Sequence, residues 1–108
     1  MNIELAQQIV STYEKHGWKL RRVLLRSSSG PDRPRLTELF PEAALVDSEI
    51  DALWFARPSH AGREAWELRR ITEQPYALFE AFETDETEED REDARREMEN
   101  KMRDYAEV

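Results

Sequence analysis

Three aromatic-rich runs between residues 50 and 83 constrain this chain more than any other part of it. They are Ile50-Asp51-Ala52-Leu53-Trp54-Phe55-Ala56-Arg57, Arg63-Glu64-Ala65-Trp66-Glu67-Leu68-Arg69-Arg70-Ile71 and Tyr76-Ala77-Leu78-Phe79-Glu80-Ala81-Phe82-Glu83. Pro58-Ser59-His60-Ala61-Gly62 separates the first two, and Thr72-Glu73-Gln74-Pro75 separates the last two. Aromatic runs bounded by Pro and Gly read as hairpin-connected antiparallel strands, a meander over 50–83.

Side chains alternate across a strand, so parity shows which faces are apolar. Ile50, Ala52, Trp54 and Ala56 share one parity, and Leu53 and Phe55 the other. In the last run, Tyr76, Leu78 and Phe82 oppose Phe79. Both faces of this sheet therefore need cover. Residues 27–49, the C-terminal helix and a second molecule are the three available sources.

Ahead of the meander, residues 2–16 predict an amphipathic helix. Asn2 is placed to cap it, Ile3, Ala6, Ile9, Val10 and Tyr13 form one stripe, and Gly17 can end it. Trp18 to Arg26 predicts a strand that starts with alternation and turns apolar on both faces at Val23-Leu24-Leu25. Ser27 to Pro34, with two prolines and a glycine, predicts a loop, mobile near 27–35. Arg35 to Phe40 predicts one or two helical turns stopped by Pro41. Residues 42–49 read as a short helix or an irregular packed segment.

From Thr84 the residues are strong helix formers without Pro or Gly. Asp85 and Glu88 resemble a capping box, and Ala94, Met98, Met102 and Tyr105 or Ala106 form a narrow stripe. Glu92–Arg96, Glu97–Lys101 and Glu99–Arg103 have favourable four-residue spacing. Because the first two turns lack apolar residues, an acidic helix over 85–106 should dock only through its later turns.

Composition adds limits. The chain of 108 residues reads as one domain, 1–108, and contains no Cys, so no disulfide framework or thiol chemistry is available. No run of 18 apolar residues and no basic-then-apolar N-terminal segment occurs, which predicts a cytoplasmic, bacterial-type protein away from membranes. Net charge is −8 but unevenly spread: residues 15–35 hold seven bases against Asp32, and residues 80–108 hold thirteen acids against five bases. Such opposed ends suit contact within one chain or between two copies.

No catalytic constellation stands out, so no catalytic residue, cofactor or metal site is assigned. Asp51 with Glu67-Leu68-Arg69 resembles the carboxylate pair of metal-dependent nucleases. Arg69, however, stands where a proton-accepting Lys belongs, and guanidinium cannot serve as a base. His16 and His60 lack a partner acid or nucleophile at a useful spacing. The run of acids from 85 to 93 lacks the ligand pattern of a calcium loop and reads as a solvated helix start. Ser27-Ser28-Ser29-Gly30 is a weak candidate anion cradle.

Arg21, Arg22, Arg26, Arg33 and Arg35 are the candidate anion contacts of a nucleic-acid-binding regulator, with Trp18 as a stacking surface. A pI near 4.8 opposes that reading.

The expectation is therefore an α+β domain: an N-terminal helix, a mostly antiparallel four-stranded sheet and a C-terminal helix, with helices chiefly on one face. A non-enzymatic interaction module follows, a homodimer or the binder of one protein partner. Its candidate surface is Trp54, Phe55, Trp66, Phe79 and Phe82, the alternative being that these residues are core.

Overall fold

The structure, a computed structural model, describes residues 1–106. The Asn2 side chain accepts from the Leu5 amide at 3.0 Å and starts α1, Ile3–Lys15. Gly17, with φ of +84°, ends it in a conformation that a side chain would resist. The chain then enters β1, Lys19–Leu25, and a 3-10 turn over Ser27–Asp32 leads into α2, Arg33–Leu39. Here the expected loop is regular structure, because Pro34 sits in the first turn of α2, where its missing amide costs nothing.

The ambiguous segment after Pro41 is a strand, β2, Ala44–Asp47, parallel to β1. Next come β3, Ala52–Pro58, β4, Glu64–Arg70, and β5, Ala77–Phe82, followed by α3, Glu88–Ala106. The fold is α+β, as its pattern predicted, and the meander falls where the aromatic runs place it. Strand order is β2-β1-β3-β4-β5, so the sheet is five-stranded and mixed rather than four-stranded and antiparallel. At the β3–β4 turn, Gly62 has φ of +75°, and a Cβ there would stand 2.9 Å from the Thr84 methyl. That turn needs glycine.

Between β1 and β3 the register slips at Arg21: Leu20 faces Phe55 and Arg22 faces Trp54. One extra residue in β1 is a bulge, and it alters which side chains share a face. Leu20, Val23 and Leu25 all join the core under α1, whereas unbroken alternation would separate Leu20 from Val23. Arg21 and Arg22 both reach the other side, with guanidinium carbons 5.3 and 5.6 Å from the Trp66 ring centre.

Helices lie on both faces of the sheet, not chiefly on one. Ile9 and Val10 of α1 and Leu36 of α2 pack with Leu53 and Phe55. Met98 and Met102 of α3 pack with Ala52, Trp54, Trp66, Leu68 and Phe82 on the opposite face. Both faces need cover, as the alternation of apolar residues predicts, and this one chain supplies both layers. Each fully buried large apolar side chain contributes about 1.5–3 kcal/mol relative to exposure, so two layers matter for a domain this small.

The Thr87 hydroxyl, rather than Asp85, caps α3, accepting from the Asp90 amide at 3.1 Å. Among the described residues no helix is long and apolar enough to cross a membrane.

Candidate functional site

Of the five aromatic residues expected on an association surface, Trp54, Phe55, Trp66 and Phe82 are buried inside the chain. Trp54 and Trp66 meet edge to face at 5.9 Å, and the Trp54 indole donates to Glu99 at 2.9 Å. Phe79 alone is open, at 56% exposure. It projects from β5 on the α1 side of the sheet and meets Trp18 edge to face at 6.4 Å. Arg57 also covers Trp18: its guanidinium lies 4.4 Å from the ring centre and donates to the His16 carbonyl at 2.7 Å.

β5 ends the sheet, so its outer backbone edge pairs with no strand among the described residues. Native edges are commonly blunted by Pro, Lys, bulges or very short strands. The six residues Ala77-Leu78-Phe79-Glu80-Ala81-Phe82 contain none of the first two, and Glu80 is their one charge. The opposite edge, β2, is only four residues long.

The basic segment is largely matched by acids. Arg22 donates through both terminal nitrogens to Glu92 at 3.2 and 3.0 Å. Arg26 lies 3.6 Å from Asp51, Arg33 2.5 Å from Asp47, and Arg35 3.7 Å from Glu38. Arg21 is exposed and faces the Trp66 ring.

Sequence reasoning missed the centre of this network, Arg95. Only 1% exposed, its guanidinium lies 4.4 Å from the centre of Trp66 and 5.7 Å from that of Phe82. It donates to Glu92 at 3.2 and 2.8 Å and also to Glu88. Hydrogen bonding from Arg22 holds the Glu92 carboxyl down at about 2. Partial burial works in the opposite direction, and the bond from Arg95 and both positive charges add to the lowering. Trp66 donates to Glu64, which lies 3.9 Å from Arg91. Arg21, Arg22, Arg91 and Arg95 thus share a hollow of about 560 Å³ with Glu42, Glu64 and Glu88. With Glu92 pairing Arg22 and Arg95 from outside that lining, the charges are largely matched, and the arrangement is a structural cap on Trp66 rather than an anion receptor. The available signal was spacing: Arg91 and Arg95 continue the Met98 and Met102 stripe toward the start of α3.

Asp51 and Glu67 do not converge. Ala52 pairs with Arg70 and Phe55 with Glu67, which separates the two carboxylates by four residues of strand, roughly 13 Å at about 3.3 Å per residue. Asp51 accepts from the Arg26 amide at 2.9 Å and the Ser29 hydroxyl at 2.8 Å. Ser29 is buried and also accepts from the Met1 amine at 3.0 Å, so its hydroxyl is spent internally.

Glu67 accepts a hydrogen bond from the Tyr13 hydroxyl, and the Tyr13 ring stacks on Phe55 at 4.1 Å. Burial, then this bond and the Glu67 charge, push the Tyr13 phenol well above its usual range, with Arg69 pulling weakly back. Tyr13 is consequently a fixed donor at neutral pH. His16 and His60 are both exposed. Among the described residues no three His, Cys, Asp or Glu side chains are grouped to hold a metal ion.

Compared with known proteins, the chain matches no protein-family model, no curated protein and no solved structure.

Proposed function

We propose that the protein is a non-enzymatic cytoplasmic interaction module that forms a homodimer by pairing β5 with β5 of a second copy. The observation that carries this reading is the open edge of β5, with Phe79 at 56% exposure beside it. A sheet face is no longer the basis of association, since α1, α2 and α3 cover both faces.

Antiparallel pairing of a strand with its own copy is two-fold symmetric, so a residue's position relative to the axis determines what it meets. An axis at Phe79 sets the two Phe79 rings side by side, with Ala77 opposite Ala81. It also sets each Glu80 opposite Leu78, whereas an axis at Glu80 would oppose two like charges directly. Backbone hydrogen bonds supply the attraction, and the small alanines leave room for the rings. The net charge of −8 on each copy works against association and makes it stronger with added salt.

Sedimentation equilibrium on the full chain at tens of micromolar, in roughly 0.15 M salt, is the test. A dimer is expected, and Phe79→Asp should return it to a monomer with unchanged circular dichroism. A monomer throughout, or a dimer indifferent to Phe79→Asp and to an Ala81→Pro change at the edge, would overturn the proposal.

A further inference from the structure

At the end of the sheet where β1 and β4 stop and β3 begins, Arg26, Arg70 and Arg103 line a cleft of about 430 Å³. Its acids are Glu49 and Asp51, and both already have cationic neighbours. Asp51 lies 3.6 Å from Arg26, and Glu49 lies 3.4 Å from Arg103. Arg70 differs: half-buried, its side chain has no hydrogen bond or ion pair among the described residues. A guanidinium stays charged in a protein, so this position favours an anion from outside.

Arg70 also lines an adjoining cleft of about 440 Å³ together with Tyr76 and Tyr105. Those two rings stack at 4.1 Å and 5° from parallel, and Tyr105 remains 55% exposed. One cation therefore stands between an arginine-lined hollow and an aromatic platform.

We propose that the joined clefts bind a small phosphorylated compound with a flat ring, of the nucleoside monophosphate class. Arg70 holds the phosphate and the ring lies on Tyr105, while Arg26 and Arg103, already paired with acids, add only positive charge around it. Phosphate is favoured over a carboxylate because its greater charge and extra terminal oxygen suit the Arg70 fork in a cleft where arginines outnumber acids. Aromatic rings accept stacked bases with little dependence on base identity, so the base itself is not specified.

The experiment is a titration of the isotopically labelled full chain, followed by amide chemical shifts, with uridine 5′-monophosphate, inorganic phosphate and uridine as separate probes. The monophosphate should saturate the protein with shifts centred on Arg70, Thr72 and Tyr105. Inorganic phosphate should bind about tenfold more weakly, and uridine more weakly still. Arg70→Gln should weaken the monophosphate about tenfold and Arg70→Lys should recover part of that loss. Tyr105→Ala should remove the preference over inorganic phosphate. No saturation by roughly 10 mM, unchanged affinity in a folded Arg70→Gln variant, or equal affinity for monophosphate and inorganic phosphate would each overturn the proposal.

Discussion

On one face of the sheet, α1 and α2 lay Ile9, Val10 and Leu36 over Leu53 and Phe55. On the other, α3 lays Met98, Met102 and the flat guanidinium of Arg95 over Trp54, Trp66 and Phe82. Both layers exclude water, but they use different means. The first follows the ordinary rule that an apolar helix stripe meets an apolar sheet. The second begins with a strongly charged helix segment and dries its aromatics with an arginine whose charge Glu88 and Glu92 answer. A count of apolar residues along α3 misses this cover, because guanidinium planes pack on indole as well as pairing with carboxylate.

The largest expected effects test whether the two layers carry similar weight. Phe55→Ala on the α1 side and Trp54→Ala on the α3 side should each cost about 3–5 kcal/mol, a large part of a small domain's stability. Urea denaturation would measure both. A Trp54→Ala change costing under about 1 kcal/mol would mean that the α3 layer is only loosely seated.

A middle-sized effect separates cover from charge on the second layer. Arg95→Ala should cost about 2–4 kcal/mol, whereas Arg95→Met, which keeps the volume over Trp66, should cost less than about 1.5 kcal/mol. The carboxylates it leaves behind are partly solvated, and Glu92 keeps Arg22. Equal losses in the two variants would show that the ion pairs, not the packing, hold α3 down.

The smallest effect is the acid-range pH dependence that Glu92 gives the charged layer. Glu92 has a folded pKa of about 2 against an ordinary value of 4.5. A lowered carboxyl pKa stabilises the fold above the ordinary value, and that contribution fades as pH falls from 4.5 toward 2. Because Glu92 is 39% exposed, water and salt screen the gain to under about 1 kcal/mol. Urea midpoints between pH 6 and pH 2.5 should fall less for Glu92→Gln than for the parent chain, and identical slopes would remove Glu92 from this account.

What the sequence made legible follows the reach of each interaction. The parity of Ile50 to Ala56 is local, and it assigned Trp54 and Phe55 to opposite faces correctly. The caps at Asn2 and Gly17 are equally local and were readable. β2 was not, because its four residues become a strand only by lying along β1, across the Ser27–Leu39 connection. The roles of Arg95 and Glu92 were hidden for a related reason: spacing pairs Glu92 with Arg96, but Arg96 meets Asp93, and the partners Trp66 and Arg22 are distant in sequence. Of the expected association surface, only Phe79 lies open, since aromatic composition marks strands without saying which strand ends the sheet.

The unmatched Arg21 also gives β1 two separate counting origins. Residues on its N-terminal side keep step with α1 only because one residue is skipped in the pairing with β3. Deleting Arg21 would merge the origins without turning any neighbour over, because Leu20 would then stand directly before Arg22 and still face Phe55. The bulge, as much as residue choice, is what lets Arg21 reach Trp66 on one side while Trp18 stays beside Phe79 on the other.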